Sequence, residues 1–198
     1  MADETVTAHG VQASWLRSFL HSVAPDSLKN MFQRQMGLGE AELSEFTAEP
    51  LEQASKPLRI HLQYRLRKQF HQTQQGIAGL LRPGIEKLYL TVAPVDKRST
   101  PFELRTPLII KSAVTIETPE GFSARVPATP AIRIDPRFAA CTNTWRVEGQ
   151  TLVGNFECRR KAGKFNSADY GQYRETMAQV MSLLEREISF TASARRAN

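Results

Sequence analysis

The alternation between Leu58 and Arg67 constrains this chain more than any other feature. Ile60, Leu62, Tyr64 and Leu66 hold one parity, and Arg59, His61, Gln63, Arg65 and Arg67 hold the other. Successive side chains on a strand point to opposite faces, so this run describes a strand with one dry and one wet side, expected over 58–70. Burial on one side only is the habit of antiparallel sheets, since parallel sheets are covered on both faces.

Other segments repeat the theme. Ile110, Ser112, Val114 and Ile116 mark a second strand, ended by the turn Thr118-Pro119-Glu120-Gly121 with proline in its second place. Segments 85–92 and 122–126 are further short strands, and the stretch 72–84, broken by Gly76, Gly79 and Pro83-Gly84, is expected to be loop. Pro127, Pro130 and Pro136 keep the next stretch out of a central ladder. Phe138–Val147 and Thr151–Arg159 flank Glu148-Gly149-Gln150 as a hairpin, with Cys141, Asn143, Trp145 and Val147 sharing a face with Leu152, Gly154, Phe156 and Cys158. A Gly149-Gln150 loop sets Cys141 opposite Cys158, whereas a Glu148-Gly149 loop makes them diagonal neighbours. Both registers leave two readings open, a buried thiol pair or a disulfide.

Helical periodicity brackets these strands. Trp15, Leu16, Phe19, Leu20 and Val23 fall at helical spacing, and a second short helix follows Pro25, so a helix pair is expected over 11–37. Tyr173, Met177, Val180, Met181, Leu184 and Ile188 form one apolar stripe, giving a helix over 167–188. Residues 1–10 and 191–198 lack periodicity and are expected to be a disordered leader and tail. The expected fold is mainly β in the α+β class: one antiparallel sandwich-like domain over 11–190, with an N-terminal helix pair and a C-terminal amphipathic helix.

Composition narrows the function. The 198 residues carry a formal charge of +6, but the distribution matters more than the sum. Five carboxylates (Glu40, Glu42, Glu45, Glu49, Glu52) occupy a stretch without cations, and five cations (Lys56, Arg59, Arg65, Arg67, Lys68) occupy the next, without acids. Adjacent strands of this kind neutralise one another across a sheet. The sharper alternative is an anionic ligand on the wet face at Arg59, Arg65 and Arg67. Nucleic acid is not expected, because stacking aromatics are not interleaved with the cations. No apolar run is long enough for a membrane span. Met1-Ala2-Asp3-Glu4 is acidic and polar, unlike a secretory signal.

Reactive constellations are not assembled by the pattern. Cys141 and Cys158 make no CxxC, and His9, His21, His61 and His71 make no paired ligand set, so neither metal nor cofactor is expected. Gly163-Lys164 lacks the first glycine and the Ser/Thr of a phosphate loop. No catalytic residue is assigned.

The order of the pieces does carry a resemblance. Pro57-Leu-x-Ile-x-Leu-x-Tyr64 is followed by Lys97-Arg98-Ser-Thr-Pro101-Phe-Glu-Leu104 and then by Pro119-Glu-Gly121-Phe122. After these come Trp145-x-Val-Glu-Gly149-Gln-x-Leu152 and Asp169-Tyr170-x-x-Tyr173-Arg174. Over about residues 15–190 this resembles the β-rich C-terminal accessory region of bacterial transglutaminase-like proteins, which have a papain-like core and flanking domains of unknown function. The resemblance implies a non-catalytic domain whose partner is a transglutaminase-like core, in cis or in trans, with a periplasmic or envelope setting. That family's Cys-His-Asp triad belongs to the core and has no counterpart here. Arg98, Pro101, Gly121, Phe122, Tyr170, Tyr173 and Arg174 match pattern positions that are expected to be scaffold.

Overall fold

A computed structural model describes residues 1–24, 27, 30, 42–65, 70–81, 90, 96–129 and 132–193. Its frame is a six-stranded antiparallel sheet built from β1 (Ala2–Ala8), β2 (Glu42–Glu49), β3 (Leu58–Arg65), β7 (Leu108–Glu117), β9 (Ala139–Glu148) and β10 (Thr151–Arg160). Their spatial order is β2-β3-β1-β7-β10-β9. A second sheet, β4-β5-β12-β8, comprises β4 (Phe70–Thr73), β5 (Gly76–Leu81), β8 (Phe122–Arg125) and β12 (Arg186–Ala192). A third small one pairs β6 (Phe102–Leu104) with β11 (Gly163–Phe165). Helix α1 covers Gly10–Ser22 and helix α2 covers Tyr170–Leu184. The mainly β α+β class follows directly from the one-sided alternation of the sequence.

The alternating strand near residue 60 behaves as its pattern demands. Leu58, Ile60, Leu62 and Tyr64 are buried, joined by Leu108, Ile110, Val114 and Ile116 from β7. These belong to one continuous core with Leu16 and Leu20 of α1, Met177, Val180 and Leu184 of α2, and Ile188 and Phe190 of β12.

The stretch expected to be a leader is instead an interior strand. β1 lies between β3 and β7, in register with both. Its inward row is Ala2, Glu4, Val6 and Ala8, all buried. Two alanines and a glutamate make no apolar signal, and the carboxylate is tolerated because the Tyr64 hydroxyl donates to Glu4 Oε2 at 2.8 Å.

Two further expectations change. The loop placed from residue 72 contains the β4–β5 hairpin. Its glycines do not break the strand: a Cβ on Gly76 would overlap the Phe190 carbonyl, so glycine is what lets β12 approach. The C-terminal helix stops at Leu184 rather than 188. Arg186 is buried there, and its Nη1 donates to the carbonyls of Ser182 (2.9 Å) and Glu185 (2.7 Å), closing the helix end. Burial lowers the Arg186 pKa. After this stop, Ile188 and Phe190 face inward on β12, where the tail had been expected to begin at 191.

The turn after β7 is offset by one residue from expectation. Phe122 N–H donates to the Pro119 carbonyl at 3.1 Å, so proline takes the first place of the turn, not the second. The second helix of the expected N-terminal pair and the strand placed at 85–92 lie outside the described residues, except Ser27, Asn30 and Leu90.

Candidate functional site: the open face of the six-stranded sheet

Every strand of the large sheet alternates, so the residues between the buried ones form a second, wet face. Arg59, His61, Gln63 and Arg65 lie on it from β3, with Asp3, Thr5 and Thr7 from β1. Lys111, Ala113 and Thr115 come from β7, Asn155 and Glu157 from β10, and Thr142 and Thr144 from β9. The β3 cations are matched across the β2 ladder: Arg59 is in register with Glu49, and Arg65 with Glu42. The acid-rich and base-rich stretches of the sequence thus lie side by side, while Arg67 falls outside the described residues.

The centre of this face is a shallow dish of about 350 Å³. Ala113 is among its lining residues, together with Thr5, Thr7, Thr142, Thr144 and Asn155. The dish's charges, Lys111 and Glu157, answer each other at 3.5 Å, and Arg159 also reaches Glu157 at 2.9 Å. The Arg159 hydrogen bond, with Lys111 nearby, holds the Glu157 carboxyl below its ordinary 4.5. At the far edge Arg146 pairs with Glu148.

One trio on this face has the residue types of a hydrolytic triad. His61 Nε2 lies 3.5 Å from Asp3 Oδ2, and His61 Nδ1 lies 3.5 Å from Thr5 Oγ1. Both β1 and β3 are paired on each side, so their backbone N–H groups are committed to ladders and none is left to receive an oxyanion. The trio links β1 and β3 through two cross-strand polar contacts.

The remaining sequence candidates fall elsewhere. Cys141 and Cys158 are directly opposite in the β9–β10 ladder and joined as a disulfide, the Gly149-Gln150 register being the one adopted. They sit on the inward side, away from the dish. Arg98 lies over the rings of Tyr170 (5.5 Å) and Phe102 (5.9 Å), Arg174 bonds Asp96 at 2.7 Å, and Tyr170 and Tyr173 are buried. Arg98, Tyr170 and Tyr173 gather around the Phe102–Phe138–Phe165 aromatic group. Burial raises the Tyr173 pKa above its ordinary 10.0.

Thr5 and Thr7 were missed because they lie in the stretch assigned as leader. Thr142, Thr144 and Asn155 were legible as the polar parity of the hairpin but belong to no motif. Among the described residues no cluster of His, Cys, Asp and Glu could hold a metal ion, and no helix is long and apolar enough to cross a membrane.

A β-rich α+β domain with a polar, charge-balanced sheet face is the class these features define. The chain belongs to the family DUF3858, a domain of unknown function with solved-structure structure, whose model matches residues 80–190, more than half of the chain. The match starts in β5 and ends in β12, so β1 to β4 and α1 precede it. No curated protein and no solved structure matched the chain, and nothing in these comparisons relates it to transglutaminases.

Proposed function

We propose that this chain is a non-catalytic accessory domain that docks a folded protein on the open face of its six-stranded sheet. The observation that carries this reading is the composition of that face. The dish at its centre is lined mostly by threonine, alanine and asparagine, and the two charges that line it, Lys111 and Glu157, face each other across the β7–β10 ladder. Because these charges answer each other within the face, a partner that covers the dish buries no unpaired charge. Six strands at about 4.8 Å spacing give the face roughly 600 Å² in plan, close to the ~800 Å² that each partner contributes to a standard interface.

The order of the sequence motifs suggests the partner, a transglutaminase-like core in cis or in trans. The acid row of β2 beside Arg59 and Arg65 argues against a polyanion on the strand face. The committed ladders around His61 argue against turnover by the domain itself.

The test is calorimetric titration of the chain with a purified transglutaminase-like core from the same genome, using the native protein and Ala113→Arg. Binding by the native chain, lost in the variant at unchanged melting temperature, supports the reading. Undiminished binding by Ala113→Arg removes the face from the interaction. Peptide hydrolysis or cross-linking by the isolated chain, abolished by Cys141→Ser, removes the non-catalytic assignment.

A further inference from the structure

The two edges of the six-stranded sheet, β2 and β9, are not alike. β2 carries Glu42, Glu45 and Glu49, shifts register between Leu43 and Glu45, and runs into Pro50. Charges, bulges and prolines are the devices that keep an open edge from pairing. β9 lacks them from Ala139 to Trp145. Its 10 residues stay in unbroken register with β10, and its charges, Arg146 and Glu148, sit at the hairpin end and pair with each other.

The ladder shows which main-chain groups of β9 are left over. Lys161 N–H donates to the Phe138 carbonyl at 2.8 Å, so even-numbered residues bond toward β10, and Ala139 N–H turns the other way, to the Asp135 carbonyl at 3.2 Å. The N–H and C=O groups of Cys141, Asn143, Trp145 and Val147 therefore point outward, and none has a partner among the described residues. They form a row of donors and acceptors about 20 Å long. An extended main chain answers such a row in full, whereas an ion, a sugar or a lipid head meets it at one point. Beside the start of the row, Ile132, Ile134 and Pro136 wall a groove of about 530 Å³ against Ala140 and Thr142, with room for apolar side chains of an incoming strand. A second copy of this chain fits less well. Asn143 Nδ2 donates to the Leu183 carbonyl at 2.6 Å, so α2 ends under the middle of β9, and a two-fold axis there would press two helix ends together.

We propose that β9 receives an extended peptide segment of a partner protein as an added strand, at the edge of the sheet and independently of its open face. The probe is a short capped peptide of alternating valine and threonine, titrated into the full chain by calorimetry and followed by amide hydrogen exchange. Saturable one-site binding is expected. Exchange should slow about tenfold at Cys141, Asn143, Trp145 and Val147, and stay unchanged at Thr142, Thr144 and Arg146, which already bond to β10. The same peptide N-methylated at every amide should not bind, because it has no donors left. Val147→Pro, at an exposed position, removes an outward N–H and keeps the β10 bonds, so it should weaken the peptide about tenfold at an unchanged melting temperature. Should that variant fail to fold, the methylated peptide and the exchange pattern of the native chain still decide the matter. Ala113→Arg, on the open face, should bind the peptide as the native chain does. The proposal is overturned if the native chain shows no saturable binding, if the methylated peptide binds equally well, or if Ala113→Arg loses the peptide. It is also overturned if the chain dimerises and Val147→Pro makes it monomeric, which would give the edge to a second copy.

Discussion

The indole of Trp145 covers Gly154, its register partner across the β9–β10 ladder. A Cβ built on Gly154 would meet Trp145 Cη2 at 2.6 Å and both Cζ2 and Cζ3 at 2.7 Å, closer than non-bonded carbons approach. Glycine in a strand ordinarily weakens it by about 0.5–1 kcal/mol relative to alanine, so Gly154→Ala on an open strand would stabilise. Here the ring must move, and overpacking costs about 1–3 kcal/mol. Gly154→Ala should therefore lower the urea midpoint and shift Trp145 fluorescence. In Trp145→Leu the same alanine should be neutral or stabilising. Additive effects of the two substitutions would show that the ring and the glycine are uncoupled.

Arg17 is a buried cation on α1 that holds the β2–β3 connection. Its Nε donates to the Pro50 carbonyl at 3.0 Å and its Nη2 to the Lys56 carbonyl at 2.7 Å, with 5% of the residue exposed. Hydrogen bonds from a charged donor are worth about 1.5–3 kcal/mol each. Arg17→Ala should lower stability by about 3 kcal/mol in urea unfolding, and Arg17→Lys should recover little, because an ammonium lacks the planar fork that reaches two carbonyls. Hydrogen exchange should speed up in residues 50–57 before the rest of the sheet. An unchanged midpoint for Arg17→Ala would show that the guanidinium's desolvation cancels its hydrogen bonds.

What the sequence made legible follows from how strongly each segment's neighbours speak through its own residues. β3, β7 and β10 bury large apolar side chains at period two and β9 is tied to β10 by a two-residue turn, so their faces were readable, including the shared face of Cys141 and Cys158. The same applies to the placing of Arg59 beside the β2 acids, because adjacent strands often come from adjacent stretches. β1 was illegible since its inward row is alanine, glutamate, valine and alanine, and Glu4 is made acceptable by Tyr64, 60 residues away. The first residues of β12 read as helix because Ile188 continues the α2 spacing, and its last two fall in the expected tail. The stop comes from Arg186 turning back onto the helix carbonyls, an interaction that spacing does not encode. β5 reads as loop because its glycines have the composition of a turn, although Gly76 is there to make room for Phe190. The open face inherits these gaps, since half of its central threonines come from β1.

The Cys141–Cys158 bond closes a hairpin of sequence separation 17. A cross-link acts chiefly by limiting the unfolded chain, and a loop near 15 residues is worth about 3 kcal/mol. Denatured, unreduced protein should show no titratable thiol with Ellman's reagent. Reduction, or the Cys141→Ser/Cys158→Ser pair, should lower stability by about 2–3 kcal/mol while the far-ultraviolet spectrum stays that of a β protein, since the ladder persists on both sides of the bond. Two free thiols in the untreated protein would contradict the pairing.

Asp135 organises the turn that leads into β9. Its Oδ1 accepts the Arg137 backbone N–H at 2.9 Å, its Oδ2 accepts Arg137 Nη2 at 2.8 Å, and Arg137 extends to Asp169 at 3.1 Å. The Arg137 side-chain bond, reinforced by its backbone N–H, lowers the Asp135 pKa from its ordinary 3.8. A carboxyl whose pKa is depressed in the folded state binds its proton more readily when unfolded, so its stabilisation is complete above 3.8 and is lost as pH falls through the lower folded value. Native protein should therefore exceed Asp135→Asn in stability at neutral pH, and the gap should close only below that ordinary value. Urea midpoints measured for both proteins down an acid series give the comparison directly. A gap that stays constant through the acid range would assign the difference to the shape of the turn and not to the carboxylate charge.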